Sequence, residues 1–383
     1  MNSTRNVYFM YIIVFLQGFV FYGPVATLFR QARGLSMSEI FMIESIAWLL
    51  VIVLEVPWGW ISDRFGYKKT LVVVNTLFFV SKIVFYSAHS FELFLLERVM
   101  LSIVVSGMSG CDTALIYESI DESQAQKVFG KYSAFGTLGF LIASVLSTFI
   151  VSVSLENTAL FTIFPYGISV IVTLFLVEVK LEKKEKISIL SNIKVAFKDK
   201  TIIIFVLAIA LVVEVVQAIT VFLNQAQYVR SGIDPKYFGL ILAGIQCMRL
   251  LSAKANVISK KFGNMSSISM LISVITVSGL LLILTSNPVL SVICVVMIAL
   301  SISVIGPIEL DVKNKMIKGS DRATILSIYS MIGGLIGSIG NIIIGKVADI
   351  SVQHGLTTCT MMSILSLVLI RIYSKRNINS VKR

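Results

Sequence analysis

Gly59-Trp60-Ile61-Ser62-Asp63-Arg64-Phe65-Gly66-Tyr67-Lys68-Lys69 is a short, highly charged stretch between two long apolar runs. The run before it, 39–61, and the run after it, 70–88, each approach the ~20 apolar residues that a helix needs to cross a bilayer. A connection this short forces the two helices into an antiparallel pair. It also places Asp63, Arg64, Lys68 and Lys69 at one membrane face.

Composition extends this to the whole chain. Of 383 residues, 56% are hydrophobic and 14% are charged, against about 25% charged in an average soluble domain. Mean hydropathy is +0.89. A water-soluble core cannot hide so much apolar surface, so lipid must solvate part of it. Backbone groups in lipid must be satisfied internally, which selects helices. The class is a polytopic helical membrane protein. Met1 to Asn6 lead directly into a span with no convincing small-residue cleavage site, so the start reads as a retained anchor.

The net charge of +12 does not indicate nucleic acid, because the basic residues sit mostly in alternate loops. Cys111, Cys247, Cys294 and Cys359 lie singly in apolar runs and read as reduced packing residues. His89 and His354 fall in separate loops with no metal-ligand spacing. No metal or cofactor is expected, and no residue set for covalent catalysis is present, so the chain does not read as an enzyme.

Twelve apolar runs follow one another: 7–29, 39–61, 70–88, 92–115, 130–152, 157–177, 201–224, 238–257, 266–285, 289–310, 323–345 and 353–373. With the N-terminus cytoplasmic, the inner segments hold 24 Lys and Arg and the outer segments five; Lys82, Arg98, Arg249 and Lys254 lie inside spans. Basic residues favour the cytoplasmic side, so both termini are expected there, in the plasma membrane. The polar stretch from Glu178 to Lys200 divides the chain into an N-terminal six-helix half (1–177), a cytoplasmic linker (178–200) and a C-terminal six-helix half (201–383). Its lysines suit a solvated segment that meets anionic membrane lipid.

The halves repeat. At an offset of 197, Tyr132-Ser133 falls on Tyr329-Ser330, Gly136 on Gly333, Leu138 on Leu335, Phe65-Gly66 on Phe262-Gly263, Asp112 on Glu309 and Gln17 on Glu214. One offset serving several regions is the parallel two-half repeat of a transporter with its site between halves. The second copy of the charged stretch, Lys260-Lys261-Phe262-Gly263, has lost the Asp-Arg pair.

The spacing G-x-x-x-D-R-x-G-x-K-K over residues 59–69 resembles the loop between helices 2 and 3 of the major facilitator superfamily, with Tyr67 standing where that family often has a basic residue. Ser109-Gly110-Cys111-Asp112-Thr113-Ala114-Leu115-Ile116-Tyr117-Glu118 looks like the end of helix 4 in a bacterial drug-exporter-like branch. Arg322-Ala323-Thr324-Ile325-Leu326-Ser327 looks like the start of helix 11 there. The resemblance implies an all-α fold of twelve transmembrane helices in two pseudo-symmetric six-helix halves. It implies secondary active transport of a small molecule by alternating access, driven by protons and directed outward. Antiporters of the superfamily tend to carry a Gly-Pro pattern in helix 5. Here that span keeps Gly130, Gly136 and Gly139 and has no proline, so uptake by symport stays open. A channel or a non-transporting receptor is the alternative from another class; the repeat argues against the first and the lack of a soluble output domain against the second.

Candidate site residues follow from charge in an apolar setting. An ionisable side chain at a span's centre costs roughly 2.5–3.5 kcal/mol. Glu214 lies deep in the seventh span, Arg249 in the eighth and Gln17 in the first. In the resembled family the first, fourth, seventh and tenth spans line the cavity. Glu214 is open to two roles, substrate or proton binding and a packing ion pair with Arg249. Glu97 and Arg98 open the fourth span; adjacent helical positions do not face each other, so they are expected to have different partners. Glu44 and Glu55 are weaker candidates, and Lys82 is expected to snorkel or pair structurally. A conformational switch is expected from Gly59, Asp63, Arg64, Gly66, Lys68 and Lys69, with Asp112 meeting Lys68 or Lys69 and Asp63 meeting the start of the eleventh span. Gly340-Asn341-Ile342-Ile343-Ile344-Gly345-Lys346-Val347 contains G-x4-G-K but lacks the following Ser or Thr and the strand-loop-helix context of a phosphate loop. Gly333 and Gly337 suit close helix packing. The protein is expected to act as a monomer with a small-molecule substrate and protons as partners.

Overall fold

Every regular element among the described residues is helical. The computed structural model describes residues 3–179, 200–249, 255–316 and 322–381, and within them all side chains except those at 3–4, 55–56, 59–63, 200, 255–256, 322–324 and 377–381. In chain order the α-helices are α1 Ser3–Gln17, α2 Ala26–Ala32, α3 Met37–Phe65, α4 Tyr67–Ser87, α5 Phe91–Met108, α6 Cys111–Tyr117, α7 Ala125–Val153 and α8 Leu155–Leu174. They continue with α9 Lys200–Gln217, α10 Asn224–Arg230, α11 Phe238–Arg249, α12 Ala255–Phe262, α13 Asn264–Leu284, α14 Pro288–Met316, α15 Arg322–Ala348 and α16 Val352–Val381.

These helices account for the twelve expected spans. Ten described helices are long and apolar enough to cross a membrane. The first span falls outside that ten because it is divided, and the eighth because only part of it lies among the described residues. The first breaks after Gln17, where Gly18 starts an irregular stretch that ends in a short 3-10 turn, Gly23–Val25. Glycine weakens a helix interior, and Pro24 cannot supply the N–H that a continuing helix needs. The eighth is α11 followed by α12, and residues 250–254 between them lie outside the described set.

The charged stretch is hardly a loop. Helix α3 runs through Asp63 and Arg64 to Phe65, and Gly66 alone separates it from α4. Polar residues at the ends of both spans continue the helix beyond the apolar run, which is why the connection is shorter than hydropathy suggests. Gly66 has φ +91°, a region open to glycine and strained for other residues. The Glu178 carboxylate accepts the Lys68 N–H at 3.1 Å. It therefore sits at the positive N-terminal end of α4, where a helix dipole stabilises an anion.

The repeat is visible in atomic contacts. Gly263, at the Gly66 offset, separates α12 from α13 with φ +80°. The Arg33 guanidinium donates to the Tyr86 carbonyl at 3.5 Å and the Ala88 carbonyl at 3.0 Å, at the end of α4. Arg230, 197 residues on, donates to the Ile283 carbonyl at 3.1 Å, at the end of α13. A cation on those orphan carbonyls satisfies the helix end and suits its negative dipole. The same C-terminal motif closes α2 and α10. Leu35 N–H reaches Arg30 O and Gly34 N–H reaches Gln31 O; Ile233 N–H reaches Tyr228 O and Gly232 N–H reaches Val229 O.

The chain forms two compact units. The first comprises Met1–Leu35, Ile46–Glu185 and Pro235–Ala243; the second comprises Ser36–Ser45, Lys186–Asp234 and Gly244–Arg383. The first turns of α3 belong with the later helices, and the first turns of α11 with the earlier ones. Local packing explains both. In the first unit, a Cβ on Gly239 would stand 2.0 Å from the Ser144 carbonyl oxygen of α7. In the second, Phe41 packs on Phe222 at 4.9 Å between ring centroids, and a Cβ on Gly345 of α15 would stand 2.7 Å from Phe41 Cβ.

Candidate functional site

The second unit buries a carboxylate without a salt bridge among the described residues. Glu214, in the last turn of α9, is 3% exposed, and its Oε1 has no hydrogen-bond partner. The π-helical turn Ala218–Leu223 follows directly; such turns interrupt α-helices often at functional sites. Glycines on α15 leave the room for this side chain. A Cβ on Gly337 would stand 2.7 Å from Glu214 Oε2, and one on Gly340 would stand 3.0 Å from Glu214 Cγ. The expected close packing of Gly337 thus has a specific content: its missing side chain is the space the carboxylate fills. Gly340 belongs to the G-x4-G-K stretch, which lies inside α15 and therefore is no phosphate loop.

Arg249 does not pair with Glu214. Its Nε donates to Ser303 Oγ at 3.0 Å, its Nη1 lies 3.4 Å from Gln246 Oε1, and the residue is exposed. The packing ion pair offered as an alternative role for Glu214 is therefore not formed.

The start of α3 is fastened within the same unit. Asp349, just past the end of α15, accepts the Ser38 N–H at 3.0 Å and also the Ser38 hydroxyl. A carboxylate on the first N–H groups of a helix is a cap, and such caps contribute roughly 0.5–2 kcal/mol. Two turns further, Ser45 Oγ donates to the Ser338 carbonyl at 2.9 Å and Ser338 Oγ to the Ser45 carbonyl at 3.3 Å.

The first unit concentrates positive charge. Glu97 and Arg30 form a buried pair, Nη2 to Oε2 3.9 Å, with side chains 1% and 6% exposed. Arg98, the next residue, is half-buried. Lys82 is 3% exposed and does not snorkel. Its Nζ donates to the Tyr22 hydroxyl at 2.9 Å and lies over the rings of Phe78 and Tyr166, at 4.7 and 5.0 Å. Cation–π contacts stabilise such a buried ammonium. Gln17 donates to Asn75 Oδ1, and its carbonyl accepts the Tyr166 hydroxyl at 2.7 Å.

The switch residues are only partly assembled. Asp112 accepts the Tyr132 hydroxyl at 3.0 Å and its neighbour's Thr113 N–H at 2.6 Å, and no lysine bridges to it among the described residues. The expected contact to Lys68 or Lys69 is replaced by Tyr132, a residue of the repeat. Arg64 lies against the Phe65 ring at 5.9 Å. The side chain of Asp63 and the surroundings of Gly59 lie outside the described residues, as do the side chains of 322–324 that Asp63 was expected to meet.

Sequence reasoning passed over several residues that hold these elements. Asn6 joins the start of α1 to the chain after α8, donating to the Val177 carbonyl at 2.9 Å and accepting its N–H at 2.8 Å. A lone buried Asn at a span start was the available signal. Asp349 was hidden by its position in a short polar turn, and Glu178 by its assignment to the linker.

Among known proteins, the "Quinolone resistance protein NorA" of Staphylococcus aureus is 25% identical over 156 residues, an alignment spanning 39% of this chain and 39% of that relative. In fold, the chain matches the nucleoside transporter NupG (D323A mutant) with a TM-score of 0.82 at 16% identity, covering 97% of this chain and 99% of that one. It also matches a bacterial homolog of the human lysosomal transporter Spinster, TM-score 0.73 at 14% identity, covering 97% and 94%. A model of the Major Facilitator Superfamily spans residues 7–375; with the twelve-span fold and its internal repeat, this shows that the chain belongs to that superfamily of membrane transporters.

Proposed function

We propose that the chain is a proton-coupled secondary transporter that exports small amphiphilic molecules across the plasma membrane. Glu214 carries the reading. A carboxylate in hydrocarbon without a counter-charge is costly, and a transporter that loads and releases a proton is a reason to retain it. The similarity to a quinolone resistance protein supports export of drug-like compounds. The absence of proline from α7 keeps uptake by symport as the second reading. The work is differential stabilisation of two conformations, with no cofactor, by a monomer in lipid. Gln17, Glu97 and Arg98 are proposed to assist at the substrate or proton site, and the 59–69 stretch with Asp112 to bias the conformational equilibrium.

The test uses purified protein in liposomes with an imposed pH gradient and a fluorescent quinolone as probe. Wild type should move the probe with the gradient. Glu214→Gln should abolish gradient-driven movement and elute from gel filtration as wild type does. Gradient-dependent transport by Glu214→Gln at the wild-type rate would overturn the role. The proposed orientation, with both termini and the 178–200 segment cytoplasmic, predicts that an impermeant thiol reagent added outside modifies a cysteine placed at 234, an exposed position, and not one at 188. The reverse pattern would invert the topology.

A further inference from the structure

The second unit carries a groove at one end of its helices. Its volume is about 680 Å³, and it lies between the start of α13 and the last turns of α16. The two helices run antiparallel. Thr276 and Ser363 share a hydrogen bond at 2.9 Å, and a Cβ on Gly279 would stand 2.7 Å from Thr360 Oγ1. Continued at that register, Ser266 and Ser269 stand opposite residues 370–373. Both serines line the groove, together with Val368, Arg371, Ile372 and Lys375. Helices α13 and α16 are each long and apolar enough to cross a membrane, and these residues lie towards one end of both. The groove is therefore at the level where hydrocarbon gives way to headgroups.

Its polar groups are uncommitted. Arg371 and Lys375 are exposed, and neither has an ion pair or side-chain hydrogen bond among the described residues. Asp311 reaches the first residue of α13, but it accepts from Asn264 at 3.0 Å and pairs with Lys315 at 2.7 Å. Ser267 and Ser273 return their hydroxyls to the Gly263 and Ser269 carbonyls of their own helix, at 2.7 and 2.8 Å. The hydroxyls of Ser266 and Ser269 make no such bond among the described residues. Two cations and two hydroxyl donors thus border one space.

The apolar side of the groove continues into the membrane. Met361, Ile364, Leu365, Val368 and Ile372 are all exposed, and intervals of three and four residues put them on one face of α16. Met361 and Ile372 lie eleven positions apart, a rise of ~16 Å. That is about half the ~30 Å hydrocarbon core, the depth of one leaflet. Arg371 and Lys375, four residues apart, stand at the headgroup end of this stripe.

We propose that the groove binds one anionic phospholipid. Its phosphodiester sits on Arg371, Lys375 and the two serine hydroxyls, and an acyl chain lies along the stripe of α16. A guanidinium matches two phosphate oxygens at once, and an ammonium adds a point charge. Basic pockets between spans on the cytoplasmic side take lipid headgroups, and the proposed orientation puts this groove on that side. Free phosphate shares the oxyanion chemistry but gains nothing from apolar surface, so the stripe selects the lipid. The bound lipid ties the end of α16 to the start of α13. Neither Glu214 nor the direction of transport enters into this binding.

The whole protein in neutral detergent, titrated with phosphatidylglycerol and read by native mass spectrometry, should take up one tightly held lipid. Phosphatidylcholine with the same chains should bind roughly tenfold more weakly or worse, since its headgroup carries no net charge. Each basic side chain near anionic lipid contributes about fivefold in affinity, so Arg371→Gln with Lys375→Gln should weaken the first phosphatidylglycerol by about tenfold or more. Lys127→Gln with Lys131→Gln removes the same charge at the same spacing from exposed positions on α7. That pair should leave the affinity unchanged. Equal loss in the two double variants would mean diffuse surface charge and overturn the site. Equal binding of the two lipids, or none to the parent, would overturn it as well. Inorganic phosphate should not displace the lipid; displacement would make the free ion the occupant and overturn the lipid.

Discussion

Gly139→Val is expected to deplete the folded protein severely. Within the first unit, α1 and α7 approach backbone to backbone. A Cβ on Gly139 would stand 2.1 Å from the Phe15 carbonyl oxygen and 3.3 Å from the Gly18 Cα; one on Gly18 would stand 2.7 Å from the Gly136 carbonyl oxygen. Extra atoms in a packed interior cost typically about 1–3 kcal/mol when side chains can move aside. Here both neighbours are main chain, so the helices themselves must part. That separation also weakens the Tyr11–Phe135 stack at 5.2 Å and the 3.2 Å bond from the Tyr11 hydroxyl to the Val128 carbonyl. A loss above ~3 kcal/mol follows, a large part of the ~5–15 kcal/mol that typically separates folded from unfolded chains. Gly130 is the internal control. It is on the same helix, and nothing lies within 4 Å of a Cβ built there. Gly130→Ala should be neutral or stabilising, because alanine is favoured over glycine in a helix by about 1 kcal/mol. Thermal aggregation of the two variants in detergent would separate them, Gly139→Val melting roughly 10 °C below the parent on the usual scaling for domains of this size. Equal melting of Gly139→Val and the parent would show that α1 and α7 are not held in this contact.

The role of these glycines shows where sequence is informative and where it stops. Hydropathy and loop charge locate spans because lipid imposes a length and a charge rule on every one of them. The repeat is legible because one offset aligns Gly66 with Gly263. The stretch at 59–69 was read as a loop because charge marks the membrane face, but charge does not stop a helix; only Gly66 does. Partner choice is far less legible. Glu214 was visible as an acid in an apolar run. That Arg249 would turn to Ser303 and Gln246, and that Glu214 would lie against Gly337, depends on which helix faces which. Glu214 and Gly337 lie 123 positions apart, and no periodicity connects them. Asp112 was assigned to a lysine at the same level, whereas the Tyr132 hydroxyl reaches it from α7. The break at Gly18 was missed because the residues beyond it are as apolar as those before it.

Glu97→Gln is the second substitution expected to act strongly, and its effect separates a structural role from a transport role. Arg30 and Glu97 are almost fully enclosed, and Lys82 beside them is surrounded by aromatic rings. Glu97 thus faces the Arg30 guanidinium, 3.9 Å away, in a region shielded from water. Removing one member of a buried pair leaves the other uncompensated, at a cost of about 3–5 kcal/mol. Replacing both members by apolar residues of similar volume costs far less and can be neutral. Glu97→Gln should therefore lower the melting temperature strongly, and Arg30→Met with Glu97→Leu should recover much of that loss. A thermodynamic cycle over the two sites should show coupling above ~1 kcal/mol, as residues within one ionic network do. Transport per folded molecule, measured with the same quinolone probe, supplies the other axis. A carboxylate that only offsets Arg30 can be replaced together with it, so the double variant would keep its response to the pH gradient. If Glu97→Gln instead melts with the parent and loses gradient-driven transport, the pairing is energetically minor, and this acid acts on the proton, the role proposed for Glu214.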